Sequence, residues 1–344
     1  MEIRRFSAVA DLENYDHWVR LHPHGSLWQS TAWQQFQEAC GREVRIYVVE
    51  AEGKIHAAAL VVLDRTHAGL CTWELPRGPL WSVGREADAQ ALLTYVIAQA
   101  KREKCLSLTF SPPIPLNVPT VPTTLSHRHV HPETTRILDL TRTPEEILAQ
   151  MKPKGRYNIG IAERDGVIVE LSQDAAAFAA LARETGKRDG FTPHGGTYYE
   201  CFLRHLPGSF LLLAYGPDGT KMQQEAAGKT RETGSASAPI AGLFGVLWEK
   251  TGIYYYGASS YGARRRMAPY ALQWKAMQHC KAQGCSRYDL FGIAPEGAPD
   301  HPWSGVTDFK SKFGGTSMSY PPEQQIILKP LLHHALQLKR KILR

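Results

Sequence analysis

Several features are absent or scarce in this 344-residue chain, and each absence removes a class of protein. The six cysteines (Cys40, Cys71, Cys105, Cys201, Cys280 and Cys285) form no CxxC pair, and no histidine stands at zinc-ligand spacing from them. They read as scattered reduced thiols, with no structural metal and no cofactor implied. Apolar runs such as AAALVVL and FLLLAY fall far short of the roughly 20 residues that cross a bilayer, which excludes an integral membrane segment. The opening MEIRRFSAVADLENYDHW lacks the apolar core of a signal peptide, so the expectation is a soluble, cytoplasmic protein.

What is present is a globular composition, 43 % hydrophobic and 21 % charged, in a chain long enough for two domains with real cores. Forty basic residues against 33 acidic ones give a net charge of +7. That excess points to an anionic partner: nucleic acid, phosphate or a membrane surface. Part of it is the tail LKRKILR at 338–344, where cations also suit the dipole at a helix C-terminus.

The chain repeats itself. Residues 75–115 align without a gap beneath residues 255–295 at an offset of 180, with Lys101 on Lys281, Cys105 on Cys285 and Pro115 on Pro295. Each copy reads as strand end, loop, helix, polar turn and strand, with hydrophobic period 3.6 giving way to a period near 2. Each follows a strand pair. VRIYVVEAEGKIHAAALVVLDR has a Glu-Gly turn at 52–53, while SFLLLAYG and IAGLFGVLWEKTGIYYYGAS flank a polar excursion from 217 to 238. Antiparallel strands, a helix and a further strand, made twice, are the plan of an α+β fold with two tandem acetyltransferase-like domains. Residues 142–167, helical in pattern, would join the halves.

An acetyl-CoA cradle needs glycines and free backbone amides where strand meets helix. That position here is YGARRRMAPYALQW, with three arginines and Pro269, which has no N–H to donate. CoA is disfavoured. Arg264, Arg265 and Arg266 at the head of a helix suit another anion.

Three blocks carry a resemblance: MKPKGRYNIGIAERDGVIVE (151–170), YYYGASSYGARRRMAPYALQWKAMQHCKAQGCSRYDLFGIAP (254–295) and FKSKFGG (309–315). LWQSTAWQQFQEACGREV (27–44) and TGKRDGFTPHGGTYYECFL (185–203) extend it over most of the chain. The sequence resembles the FemABX family, peptidyltransferases that extend peptidoglycan bridges with amino acids from aminoacyl-tRNA. The resemblance implies two GNAT-like domains, here 1–148 with a returning 317–344, and 149–316. With no heptad-rich insertion, it is the short type without a helical arm. It implies a monomer that takes aminoacyl-tRNA and a UDP-linked or lipid-linked peptidoglycan precursor, working near the membrane. The donated residue would be Gly, Ala or Ser. Ester to amide runs downhill, so the protein's work is positioning two anionic substrates, easing a proton from an amine of pKa about 10.4, and stabilising an oxyanion.

The same resemblance assigns residues. Phe309 and Lys310 match the family's Phe-Lys pair, whose lysine serves the transition state or the tRNA terminus. Taken alone, Phe309, Ser311 and Phe313 alternating with Lys310 and Lys312 is an amphipathic strand with solvent-facing lysines. Gln37 falls where diphosphate-binding relatives carry lysine. His194 falls near the second diphosphate contact, an arginine in relatives, and Arg188 is close enough to substitute. Ser111 replaces an acidic residue, so no general base is assigned. By strand periodicity Tyr254 and Tyr256 share one face and Tyr255 takes the other; they flank the peptide, stack on the tRNA's terminal adenine, or lie in the core. By charge pattern rather than by the resemblance, Arg264 is placed with the substrate contacts, and Arg265 and the basic cluster Lys152, Lys154 and Arg156 at the domain join suit a tRNA phosphate backbone, a solvated basic face being the alternative for both groups. Rival readings are transfer to another amine, on a peptide natural product or a protein N-terminus, and a non-catalytic RNA-binding relative.

Overall fold

The computed structural model describes residues 2–65, 69–118, 121–126, 130–217, 238–333 and 335–336; most of the 217–238 excursion and the tail from 338 lie outside the described residues. The chain divides into two compact units, Met1–Glu133 with Ser319–Arg344, and Thr134–Met318.

The first unit is built on β1 (Glu2–Phe6), β2 (Glu43–Ala51), β3 (Lys54–Arg65), β4 (Cys71–Leu75), β5 (Leu80–Trp81), β6 (Ser107–Phe110), β7 (Thr124–Leu125) and β15 (Gln324–Ile327). Sheet order is β1-β2-β3-β4-β6-β15-β7, with β5 beside β3. The β2–β3 hairpin turns on Glu52 and Gly53, both left-handed (φ 53° and 71°), the two-residue turn whose twist matches the strands. Helices α1 (Val9–Leu21), α2 (Thr31–Ala39) and α3 (Glu86–Arg102) flank the sheet. Ala89, Leu92, Leu93, Val96 and Ala100 form a helical stripe on α3 that is buried among Val61, Trp73, Leu108 and Phe110.

The second unit contains β8 (Thr134–Asp139), α4 (Pro144–Ala149), α5 (Pro153–Arg164), β9 (Ile168–Ser172), α6 (Ala175–Asp189), α7 (Gly196–His205), β10 (Ser209–Tyr215), β11 (Ala241–Trp248), β12 (Thr251–Ser259), α8 (Ala268–Ala282), β13 (Arg287–Gly292), α9 (Ser304–Ser311) and β14 (Thr316–Ser319). Sheet order is β14-β8-β13-β12-β11-β10-β9. Because β8 pairs with β13, residues 134–148 and with them α4 belong to this unit rather than the first; the division falls before them. Each sheet is otherwise antiparallel wherever its register is defined, but holds one parallel pair, β4–β6 and β12–β13. A helix connects each parallel pair, as a crossover requires.

No helix of the described residues is long and apolar enough to cross a membrane. TDFKSKFGG is helical up to Ser311, not a strand. Residues 307–311 end α9, and Gly314 and Gly315 turn the chain out at φ 82° and 76°. The Phe309 and Phe313 rings therefore lie one helical turn apart, 5.2 Å between centroids, on one core face with Tyr270.

Candidate active site

The site is in the second unit, where its parallel strands part. β12 and β13 pair only through Thr251–Arg287, Gly252–Tyr288 and Ile253–Asp289. Beyond that point each strand is bulged. Against β11 the register of β12 slips so that Phe244 faces Tyr256 and Gly245 faces Tyr254, leaving Tyr255 over. Against β8 the register of β13 slips between Asp289 and Gly292. There Phe291 adopts φ 60°, unusual for a bulky residue, with its N–H donating to the Asp289 carboxylate at 2.7 Å and its ring stacked on Tyr255.

The bulge overturns the expected arrangement of the tyrosines. One extra residue sends Tyr254 and Tyr256 to opposite faces. Tyr256 joins Tyr198, Tyr199 and Phe202 of α7, its hydroxyl 3.1 Å from that of Tyr198. Tyr254 turns toward α8 and α9 and lies over Gly257, where a Cβ would stand 1.9 Å from its hydroxyl. Burial pushes its phenol up to about 12, partly opposed by a hydrogen bond with Gln273. Gln273 in turn accepts from the Tyr288 hydroxyl at 2.9 Å.

Tyr254, Gln273 and Phe309 line a cleft of about 260 Å³, with Arg188 and Ser259 on another side and Pro269 at its helical rim. Behind Tyr254 sits Lys310. It is 6 % exposed, its ammonium donates to the Gly292 carbonyl at 2.6 Å, and it lies 5.4 Å from the centre of the Tyr254 ring. Loss of hydration lowers its pKa from 10.5 to about 8, with the Asp289 carboxylate opposing the fall. A buried ammonium is costly unless held, and here a carbonyl, an aromatic face and a nearby carboxylate hold it. The solvent-facing lysine of the strand reading is thus a core cation.

The other expected residues divide. Arg188 is at the cleft, but Asp189 engages its guanidinium through hydrogen bonds of 2.6 and 2.8 Å. That pair raises the arginine's pKa and lowers the carboxylate's, so the guanidinium is already engaged by Asp189. His194 stacks on Tyr198 at 3.9 Å and joins the Tyr256 cluster. Arg264 and Arg265 are exposed, in a short 3₁₀ turn that Met267 (φ 52°) separates from α8; they precede the helix and are not in its first turn. Arg264 lies 4.0 Å over Tyr261. Lys152 donates to the Ser311 hydroxyl at 3.1 Å, Lys154 lies over Tyr157, and Arg156 donates to the carbonyls of Ala149 and Met151. All three are on or beside α5, inside the second unit rather than at a domain join.

In the first unit, Gln37 is buried and its side-chain oxygen accepts from the Arg42 guanidinium at 2.7 Å. Ser111 is buried too, accepting from the Arg77 N–H at 2.9 Å. Gln273, Asp289 and Gly257 stand at the site without a spacing signal that singles them out. Asp289 stands in the repeat's strand, where a carboxylate amid YDLFG was the available signal.

A family model described as the FemAB family matches residues 11–123, 119–215 and 218–341. The chain belongs to the FemAB family. Among its relatives is a lipid II:glycine glycyltransferase of Staphylococcus epidermidis, 22 % identical over 390 aligned positions that cover 94 % of this chain and 93 % of the relative. The enzyme of the same description from Staphylococcus aureus is 22 % identical, covering 88 % of each chain. The crystal structure of FemX covers 97 % of this FemAB protein and 99 % of its own chain, with TM-score 0.75 and 19 % identity. A tandem GNAT protein from the clavulanic acid pathway covers 96 % and 99 %, with TM-score 0.57 and 13 % identity. The fold is that of tandem GNAT proteins, and family and fold together make the chain an acyltransferase.

Proposed function

We propose that this FemAB protein transfers glycine from glycyl-tRNA to an amine on the stem peptide of a lipid-linked peptidoglycan precursor, at the cytoplasmic face of the membrane. The relatives' description as lipid II:glycine glycyltransferases supports donor and acceptor class. The observation that carries the chemistry is Lys310, a buried ammonium one ring behind a cleft in the second unit. In the reaction the amine nitrogen attacks the ester carbonyl, a C–N bond forms, and the C–O bond to the tRNA breaks. The amine's proton leaves and the terminal hydroxyl of the tRNA gains one. Negative charge gathers on the carbonyl oxygen in between. A fixed cation in a site with little water stabilises that charge selectively, because no solvent must reorganise. Tyr254 and Gln273 shape the wall between the cation and the reacting ester.

The test incubates purified protein with lipid-linked muramyl pentapeptide, and separately its UDP-linked form, with tRNA charged in turn with glycine, alanine or serine. Mass spectrometry should show a gain of one glycine on the lipid-linked acceptor, dependent on tRNA and lost in Lys310→Ala. No gain on either acceptor, with protein that still binds charged tRNA, would move the assignment to another amine.

A further inference from the structure

Helix α5 has two unlike faces. Gly155, Asn158, Ile159 and Ala162 are buried, while Lys154, Arg156, Tyr157 and Arg164 are exposed. Tyr157 is 56 % exposed, a large open aromatic surface for a residue usually half hidden. Two cations lie over its ring: the Lys154 ammonium 5.0 Å from its centre and the Arg164 guanidinium 5.9 Å. Positions 154, 157 and 164 are three and seven residues apart, so they share a stripe of the helix. Arg164 is oriented by the Gly160 carbonyl at 3.1 Å, and among the described residues neither cation is drawn into an ion pair.

The stripe is joined to the site. The Lys152 N–H, at the start of α5, donates to the Lys312 carbonyl at 3.0 Å. Gly155 packs so closely that a Cβ there would stand 2.3 Å from the same oxygen. The cationic end of α5 is thereby clamped to the end of α9, the helix that carries Phe309 and Lys310. A polyanion with its reactive end in the cleft has this stripe one helix away.

An open ring with two nearby cations suits a flat π-system with flanking phosphates. Stacking on an aromatic side chain contributes about 1–3 kcal/mol per base, and each neutralised phosphate adds a salt-dependent increment. We infer that Tyr157, flanked by Lys154 and Arg164, is a stacking platform for an unpaired base of the RNA that delivers the amino acid. The inference rests on the tRNA-dependent reading above.

The experiment titrates the full-length protein with fluorescently labelled, uncharged glycine tRNA and follows anisotropy across a salt series. Tyr157→Ala should weaken binding about 5- to 100-fold without changing the slope of log K against log salt, and Tyr157→Phe should bind as the parent does. Lys154→Ala should instead flatten that slope by about 0.7–0.9. Parental affinity in Tyr157→Ala, or failure of Tyr157→Phe to restore it, overturns the platform and leaves the transfer reading standing. If the parent protein binds no tRNA, platform and transfer reading fall together.

Discussion

The two halves solve the same topological problem differently. In the first, β4 and β6 run parallel through four pairs, Thr72–Ser107 to Leu75–Phe110, and Ser111 Oγ then ties the backbone of Arg77 across the strand ends. In the second, the equivalent strands part after three pairs, and a cleft opens beside them. The register shows why. Thr72 and Thr251 begin equivalent pairs at an offset of 179, whereas Ser107 and Arg287 are offset by 180. The residue gained in the second half is the bulge at Tyr255. Where the first half has buried Leu75 and Thr109, the second has Tyr254 and Asp289, the neighbours of Lys310. One inserted residue converts a closed core into a wall that bears polar chemistry.

The sharpest way to break this contrast is to remove its cation. Lys310→Ala should lower kcat/KM by more than about tenfold, short of the roughly 100- to 1000-fold scale of a donor in direct contact with an oxyanion because the Tyr254 ring stands between the ammonium and the cleft. Thr109→Val, at the first half's counterpart of Asp289, should leave the rate unchanged. Aminoacyl transfer to the lipid-linked acceptor measures both. Next in size is Gly257→Ala, whose new methyl meets the Tyr254 hydroxyl. The ring must move, and a fall of about tenfold in rate with a loss of about 1–3 kcal/mol in stability is expected. Tyr254→Phe in the same chain should restore part of the stability, read by denaturant titration.

Much of this was legible in the sequence. The Glu52-Gly53 turn, the helix-then-strand order of both copies and the family blocks carry strong local signals, and the structure follows them. The site was less legible because its decisive features are tertiary. A bulge at Tyr255 leaves no mark in a run of three tyrosines, so period-2 reasoning placed Tyr254 and Tyr256 on one face. Alternating Phe and Lys at 309–313 fits a strand and also the end of a helix whose aromatics sit one turn apart; packing against Tyr270 chooses the helix. Gln37 is engaged by Arg42, five residues on, a pairing no spacing rule singles out.

The halves should also differ in pH response. Lys310 is held near pKa 8 in the folded chain against 10.5 when hydrated. Between those values the unfolded state binds the extra proton, so the contribution of Lys310 to stability should rise with pH across that window. If the ammonium is the form that works, the rate should fall as pH passes about 8, after allowance for the acceptor amine's own ionisation. The residual activity of Lys310→Ala should lack that limb, and the stability difference between parent and variant should rise over the same range, because the buried tyrosines and Cys105 titrate alike in both. Parallel pH–rate and pH–denaturation profiles of parent and variant check both.

The smallest effect on catalysis should come from the first half's own closure. Ser111→Ala removes the oxygen that accepts from the Arg77 N–H, in a place where both residues are buried. Stability should fall by about 1–3 kcal/mol, the cost of taking a hydrogen-bond partner from a buried group. Transfer rate at saturating substrates should stay at the parental value, because Ser111 belongs to the unit whose strands remain closed. A raised KM for the lipid-linked acceptor, with kcat unchanged, would assign Ser111 a part in binding it. The first half would then be a second working site in place of a sealed copy, and the contrast between the halves would lie in what each binds.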